Sequence, residues 1–450
     1  MPTIWRAKDS KEAYDSARIH NVFNMERPSH FPRAIVKATC AQDVIDAVQT
    51  AITEPERCQV AVRSGGHSFF VWSLHDNSIL VDLGDWKEMA VDANTGIAEV
   101  TPGVTGAELN QYLRSHHGMF FPVGHYPDVA LGGFLLHGGQ GWNCRKNWGY
   151  ACDRVVAVEV VTGQGELLLC NEDQNEDLLF TAKGAGPLFP GIVTKFYLKL
   201  MPDPTGGLRT SGYIYPVSSY HDVFNWVQSI LPSADQDTEI VVVAFYPEKQ
   251  HEPCLKVHFV TMKSNSEAEY TLRQLHQTRP RGIITEWVCK EESLESLFDS
   301  QVQANPQEHY YYVDNYYISN LADVKQALKI FCLSAPKGKS FAFWYPLCLG
   351  NRQNVSDMSL DFPGEHYLAV YAIGKSKEEA TLCRKWAEKT MAKFKDHAVG
   401  SYLGECDLKM GHDWNWGRNA ERVATVCRRW DPDSLFCTVH RGRDALEQAD

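Results

Sequence analysis

No Cys-x-x-Cys pair occurs in this 450-residue chain, although it contains 13 cysteines. Scattered from Cys40 to Cys437, they read as reduced thiols of a cytosolic protein rather than as a disulfide framework. Cys144 and Cys152, the nearest pair, lack the spacing and partners of a zinc site, so no metal is expected. No apolar run approaches the roughly 18 residues of a membrane-spanning helix. The first residues are charged early and show no apolar core of a secretory signal, so a cytoplasmic protein without a membrane partner is expected. Basic residues are in the minority. The 44 Lys and Arg against 56 Asp and Glu leave a net charge of −12, with no basic stripe to hold a nucleic acid. Neither a P-loop nor a Gly-x-Gly-x-x-Gly turn between strand and helix is found. Repeats and low-complexity segments are absent too.

What is present is a core-forming composition, 44% hydrophobic, at a length that favours two or three compact units. "RAIVKAT" (33–39) reads as a strand. "AQDVIDAVQTAI" follows, with Val44, Ile45, Val48 and Ile52 at helical spacing. "SILVDL" (78–83) and "TGIAEVTPG" (95–103) are further strands. Thr105 and Glu108 form a capping box before a helix carrying Leu109, Tyr112 and Leu113. "RVVAVEVVTGQGELLLC" (154–170) is a hairpin, and "GIVTKFYLKL" (191–200) another strand. "MPDPTGG" (201–207) breaks the pattern. Beyond it come long alternating strands, "EIVVVAFYP", "CLKVHFVTM", "HYYYVDNYYIS", "SFAFWYP" and "EHYLAVYAI", separated by amphipathic helices. One helix starts at a Ser376–Glu379 box, with Leu382, Trp386 and Phe394 among its apolar residues. The expected units are 1–205, 206–398 and a C-terminal segment, 399–450, that packs back onto the first.

Two stretches stand apart. "AVRSGGHSFF" (61–70) runs a strand into Gly65 and Gly66, with His67 in the resulting tight loop. Arg63, Ser64 and the loop amides could cradle a phosphate, or the loop could be a plain turn with a capped histidine. "PVGHYPDVALGGFLLHGGQG" (122–141) carries six glycines and two prolines among apolar residues. Loops are polar, and each glycine inside a helix costs about 1 kcal/mol. The segment therefore reads as backbone pressed close against something flat or phosphate-bearing.

Taken with "NEDLLFTAKGAGPLFPGIVTKFYLKL" (175–200) and "GSYLGECDLKMGHDWNWGRNAERVATVCRRWDPDSLF" (400–436), these blocks resemble, in order, the FAD-linked oxidases of the vanillyl-alcohol oxidase, or PCMH, type, in their berberine-bridge-enzyme-like branch. The resemblance implies an α+β fold. A two-lobed FAD-binding domain of PCMH type would be joined to a substrate domain with a large antiparallel sheet flanked by helices. It implies that Arg63, Ser64, Gly65, Gly66, His67 and Ser68 hold the pyrophosphate, and that His67 is bonded to the 8α-methyl of FAD. A second, cysteinyl tether is common in the family. Tyr126 occupies that position here, so a single link is expected. Pro127, Asp128, Val129, Gly132, Gly133, His137, Gly138, Gly139 and Gly141 match the segment that wraps the cofactor, and Gly191 and Val193 the strand near its adenine end. His137 stands where glycine is commoner. It could relay a proton or simply be hydrogen-bonded.

The C-terminal "YxNE" of relatives is "YLGE" here. The resemblance makes Tyr402 and Glu405 the catalytic candidates and places Gly404 where an asparagine is usual. Glu405 could be the base and Tyr402 an acid or orienting hydroxyl, or both could only buttress the isoalloxazine. One face of "HYYYVDNYYIS" could line the substrate pocket. The expected activity is oxidation of a small, mostly apolar metabolite (an aromatic alcohol, phenol or polyketide), with dioxygen as acceptor and hydrogen peroxide as product. In similar proteins a valine at the position of Val129 leaves room for dioxygen. A cyclase or pericyclase using the flavin fold as scaffold stays open, because the branch has such members.

Overall fold

The computed structural model describes residues 3–54, 58–144, 148–347, 356–361, 364–406 and 416–437. Alternation of short apolar strands with helices in the first part gives a four-stranded sheet of β1 (Thr3–Trp5), β2 (Ala34–Lys37), β3 (Val60–Arg63) and β4 (Ile79–Asp82), in the order β1-β2-β4-β3. β2, β4 and β3 are parallel. The helix Ala41–Thr53 makes the crossover, burying Val44, Ala47, Val48 and Ala51 as its helical spacing requires.

A second sheet is antiparallel. It contains β5 (Met89–Asp92), β6 (Ile97–Val100), β8 (Val155–Val161), β9 (Leu167–Cys170) and β10 (Ile192–Lys199), in the order β5-β6-β10-β8-β9. β7 (Met119–Phe120) pairs separately with β11 (Met201–Pro202). The helix Gly106–His117 starts at the expected Thr105–Glu108 capping box.

The second part of the chain builds a seven-stranded antiparallel sheet. Its strands are β12 (Arg209–Pro216), β13 (Thr238–Phe245), β14 (Cys254–Thr261), β15 (Thr285–Glu291), β16 (Tyr310–Ile318), β17 (Phe341–Pro346) and β18 (His366–Gly374), in the order β15-β12-β14-β13-β17-β18-β16. One face, with Ile240, Val257, Tyr312, Trp344 and Leu368, is covered by helices that add Val227, Phe331 and Ala387. The opposite face carries Tyr317, Tyr345, Tyr367 and Tyr371 toward the first part of the chain.

Several features differ from the sequence expectation: β1, β5, β7 and β11 are strands it does not contain, and Ile52 of the helix Ala41–Thr53 is exposed. β12 and β15 are additional strands, and a glycine (Gly212) under the ring of Trp287 interrupts the alternation that would have marked them. The glycine-rich segment contains a six-residue helix, Leu131–Leu136. In the helix Lys377–Met391, Ser376 does accept from the Glu379 N–H, but Leu382 is 68% exposed. The buried stripe is Cys383, Ala387 and Met391 instead. The C-terminal segment returns to β3: the Val60 N–H donates to the Leu435 carbonyl and the Cys437 N–H to the Val60 carbonyl, both at 2.8 Å.

Candidate functional site

Strand β3 ends at Arg63, whose side chain is fully engaged in the core. Its guanidinium donates to the Ala17 and Arg18 carbonyls and to Asp82, each at 2.7 Å, and the residue is 2% exposed. Arg63 is therefore not a phosphate ligand through its side chain. It closes the end of the helix Lys11–Ile19 and neutralises a buried carboxylate. Removing it as Arg63→Met leaves Asp82 with only the more distant His20, at 3.8 Å, and Lys37, at 3.9 Å. A loss of about 3–5 kcal/mol in unfolding free energy is expected. An unchanged urea midpoint would contradict this role.

After Arg63 the backbone turns across a cavity of about 900 Å³. Gly66 adopts a positive φ of 67°, and a Cβ there would lie 2.3 Å from the Asn21 carbonyl oxygen. A Cβ at Gly65 would lie 2.7 Å from that of Ala130. The turn can thus be made only with glycines, and it delivers His67 to the cavity wall. The His67 ring stacks on Phe23 at 4.5 Å and lies 5.0 Å from Tyr126. Burial lowers its pKa to about 4, so the imidazole is neutral at pH 7.

Opposite this loop stands the start of the short helix. The Gly133 N–H donates to Ser64 Oγ at 3.1 Å, and a Cβ on Gly133 would meet only that oxygen, 3.9 Å away. Ser64 through Ser68, Tyr126, Val129, Gly132, Gly133, His137, Gly191 and Val193 all line the cavity. Pro127, Asp128, Gly138, Gly139 and Gly141 do not line it. Those three glycines are required by protein packing instead: Cβ atoms there would strike Leu360, Ala151 and the Val123 carbonyl. His137 uses Nδ1 on the Gly133 carbonyl at 2.5 Å and stacks on Trp72 at 5.3 Å. Its Nε2 is buried with no partner among the described residues, and burial lowers its pKa to about 4. The open glycine face, the neutral His67 and this orphaned acceptor fit a flat, heteroatom-rich group such as FAD.

The far wall is the tyrosine face of the large sheet. Glu405 is the acid of this wall. It accepts from Tyr367 Oη and Tyr371 Oη, each at 2.5 Å. Burial raises its pKa, and the two hydroxyls only partly offset that. The two tyrosines alternate with Ala369 along β18 and so share one face. Tyr402 is not on Glu405. Its hydroxyl accepts from the Gln140 N–H at 3.1 Å, and Asn315 clamps its backbone at 2.6 and 3.0 Å. Gly404 lies against this ring: a Cβ there would come within 2.8–3.0 Å of it, so an asparagine requires the Tyr402 ring to shift.

A second acid was not singled out from the sequence. Glu239, on β13, accepts from His125 Nε2 at 3.1 Å, the Asn143 N–H at 2.7 Å and Tyr345 at 3.1 Å. Burial works to raise its pKa, but these partners outweigh it and hold the group below the ordinary range. The face of β16 with Tyr311, Val313 and Tyr317 continues this wall at the sheet edge without lining the cavity itself, and Tyr311 reaches Phe23 and Phe69. Of the large sheet, it is β13, β14, β17 and β18 that line the cavity.

A family model described as an FAD binding domain matches residues 32–171. FAD-linked oxidoreductase janO of Penicillium janthinellum is 35% identical over 444 residues, covering 96% of each chain. Physcomitrella patens BBE-like 1 shares the fold with a TM-score of 0.83 at 17% identity, over 97% of this chain and 96% of that one. The grass pollen allergen Phl p 4 gives 0.79 at 19% identity, over 97% and 96%, in two forms. The wild type is described as a glucose dehydrogenase and an isoleucine-to-valine variant as a glucose oxidase. With janO alike along nearly its whole length, this chain belongs to the FAD-linked oxidoreductases, and its fold, an FAD-binding part joined to a large antiparallel sheet, is that of the berberine-bridge-enzyme-like protein.

Proposed function

We propose that this protein is an FAD-dependent oxidase of a small, mostly apolar secondary metabolite (an aromatic alcohol, phenol or polyketide), with FAD tethered to His67 and dioxygen as final acceptor. The observation that carries the reading is Glu405, a buried carboxylate of raised pKa set among tyrosines on the cavity wall. When bound, FAD would supply a two-electron acceptor for the substrate's hydride, with dioxygen as the final oxidant and hydrogen peroxide as product. Glu405 takes the proton that the substrate loses. Tyr367 and Tyr371 hold its oxygens in place, and Tyr402, fixed by Asn315, shapes the wall beside it. The limits 1–205, 206–398 and 399–450 are proposed as the FAD-binding, substrate-binding and C-terminal units.

Anaerobic mixing with aromatic alcohols, phenols and polyketides tests the reading. An oxidase bleaches its flavin and releases peroxide when air is readmitted. A protein that converts its substrate without bleaching is a cyclase instead. Val129 makes the acceptor testable. It lines the cavity close to Gly124, where a Cβ would lie 3.9 Å from its own. The two forms of Phl p 4 pair valine with the oxidase, the direction expected of a smaller side chain where dioxygen approaches. Val129→Leu is expected to slow reoxidation of photoreduced enzyme by about tenfold, the effect of a methylene-sized misfit, while leaving reduction within a small factor. Stopped-flow mixing with aerated buffer reads this. Reoxidation indifferent to the change would reject dioxygen access through Val129.

A further inference from the structure

Lys256 is the one lysine of β14 on the cavity face, and the chemistry proposed above does not use it. Across the sheet it lies in a row with Val243, Phe343 and Ala369. The cavity beside it is lined by Phe245 and Phe341, so its surroundings are apolar. No carboxylate among the described residues lies within ion-pair distance. Glu239 is held by His125, Asn143 and Tyr345, and Glu248, Lys249 and Lys339 are exposed residues at the mouth. Its neighbour on the same face, His258, has a pKa lowered to about 3 by burial and by Lys256 itself, and so is neutral. Burial also lowers the pKa of Lys256, as for an ammonium that lacks a counter-charge.

An ammonium in an apolar wall needs an acceptor oxygen, and the cavity is where one can arrive. Strands β14, β13, β17 and β18 are consecutive neighbours. At about 4.8 Å per strand, Lys256 stands roughly 14 Å across the sheet from the Tyr367–Tyr371 column that holds Glu405. We infer that Lys256 anchors an anionic oxygen, a carboxylate, phenolate or enolate, carried by an elongated substrate at the end remote from the carbon that is oxidised. This deepens the oxidase reading and rests on it for the position of the reacting carbon. The anchoring itself is a binding property and is tested without turnover.

The experiment titrates the intact flavin-loaded protein with dehydroabietate, a rigid tricyclic carboxylate, and separately with its methyl ester. Perturbation of the flavin spectrum and the thermal shift are read together. The wild type is expected to bind the acid about tenfold to a hundredfold tighter than the ester, as for a charge-assisted hydrogen bond. Lys256→Met is expected to remove that preference while keeping its flavin and its affinity for the ester. Lys256→Arg is expected to keep most of it. Trinitrobenzenesulfonate should label Lys256 in the free protein, and dehydroabietate should protect it. An acid-to-ester ratio unchanged in Lys256→Met overturns the inference. So does a wild type that binds neither probe or both equally, or a Lys256→Met protein that loses its flavin, which would assign the lysine to the cofactor. Failure of every tested compound to bleach the flavin would count against the oxidase reading alone.

Discussion

Protein carrying His67→Ala is expected to lose all of its FAD on acid precipitation, whereas the unmutated protein stays yellow and fluorescent in the pellet. The expectation starts from the backbone. The Gly65–Gly66 turn, fixed by close approach to Ala130 and Asn21, leaves His67 no freedom to withdraw from the cavity. Phe23 stacked at 4.5 Å holds the ring plane. A pKa near 4 keeps a nitrogen lone pair available at neutral pH, which a nucleophile toward the flavin requires. The neighbouring position that could offer a second link is Tyr126, whose phenol cannot form a thioether. A tryptic digest of the unmutated protein should therefore yield one flavin-bearing peptide, containing His67 and no cysteine adduct. The change is all-or-none in bound colour, so partial occupancy cannot blur it. Flavin released wholly to the supernatant from unmutated protein would refute the tether. A retained covalent flavin in His67→Ala would move it to another residue.

The fold was legible where one physical cause dominates. Val44 and Val48 sit on one face of a helix because 3.6-residue spacing allows nothing else, and Thr105 with Glu108 caps a helix by satisfying free N–H groups. The cavity loop was legible because only glycine makes its turn. Side-chain direction was not. Arg63 follows the pattern of an anion ligand, yet the end of a helix and Asp82 lie behind it, and the core claims its guanidinium. Gly138, Gly139 and Gly141 look like cofactor glycines from composition, but what presses on them is Leu360, Ala151 and Val123. The pairing of Glu405 with Tyr367 and Tyr371 joins a loop to a strand more than thirty residues earlier, and no local spacing encodes it. The alternation Tyr367-Ala369-Tyr371 was the available sign that two hydroxyls share a face. His125 and Glu239 are further apart still, and only the packing of β13 on the glycine-rich segment brings them together.

Glu405→Gln is expected to slow anaerobic flavin reduction by about 100- to 10,000-fold, the usual worth of a positioned general base, while FAD stays bound. The amide is nearly the shape of the carboxylate, so the fold and the cavity are kept, but it cannot take up the substrate's proton. The pH profile supplies the sign. Burial raises the Glu405 pKa, so the carboxyl gains its proton at a higher pH than an ordinary glutamate would. Once protonated it can no longer accept one. Reduction by the unmutated protein should therefore fall as pH drops through that raised value, and the limb should be missing from Glu405→Gln. Tyr371→Phe removes one of the two hydroxyls that favour the ionised form. It should shift the same limb to higher pH without abolishing it. Tyr402→Phe removes a hydroxyl bonded to the Gln140 N–H and not to Glu405, so it should leave the limb in place even where it slows the reaction. Rapid-scanning measurement of flavin bleaching across pH separates these outcomes. A Glu405→Gln protein reduced at the unmutated rate, with the acid limb unchanged, would make Glu405 a structural acid and remove the base from this site.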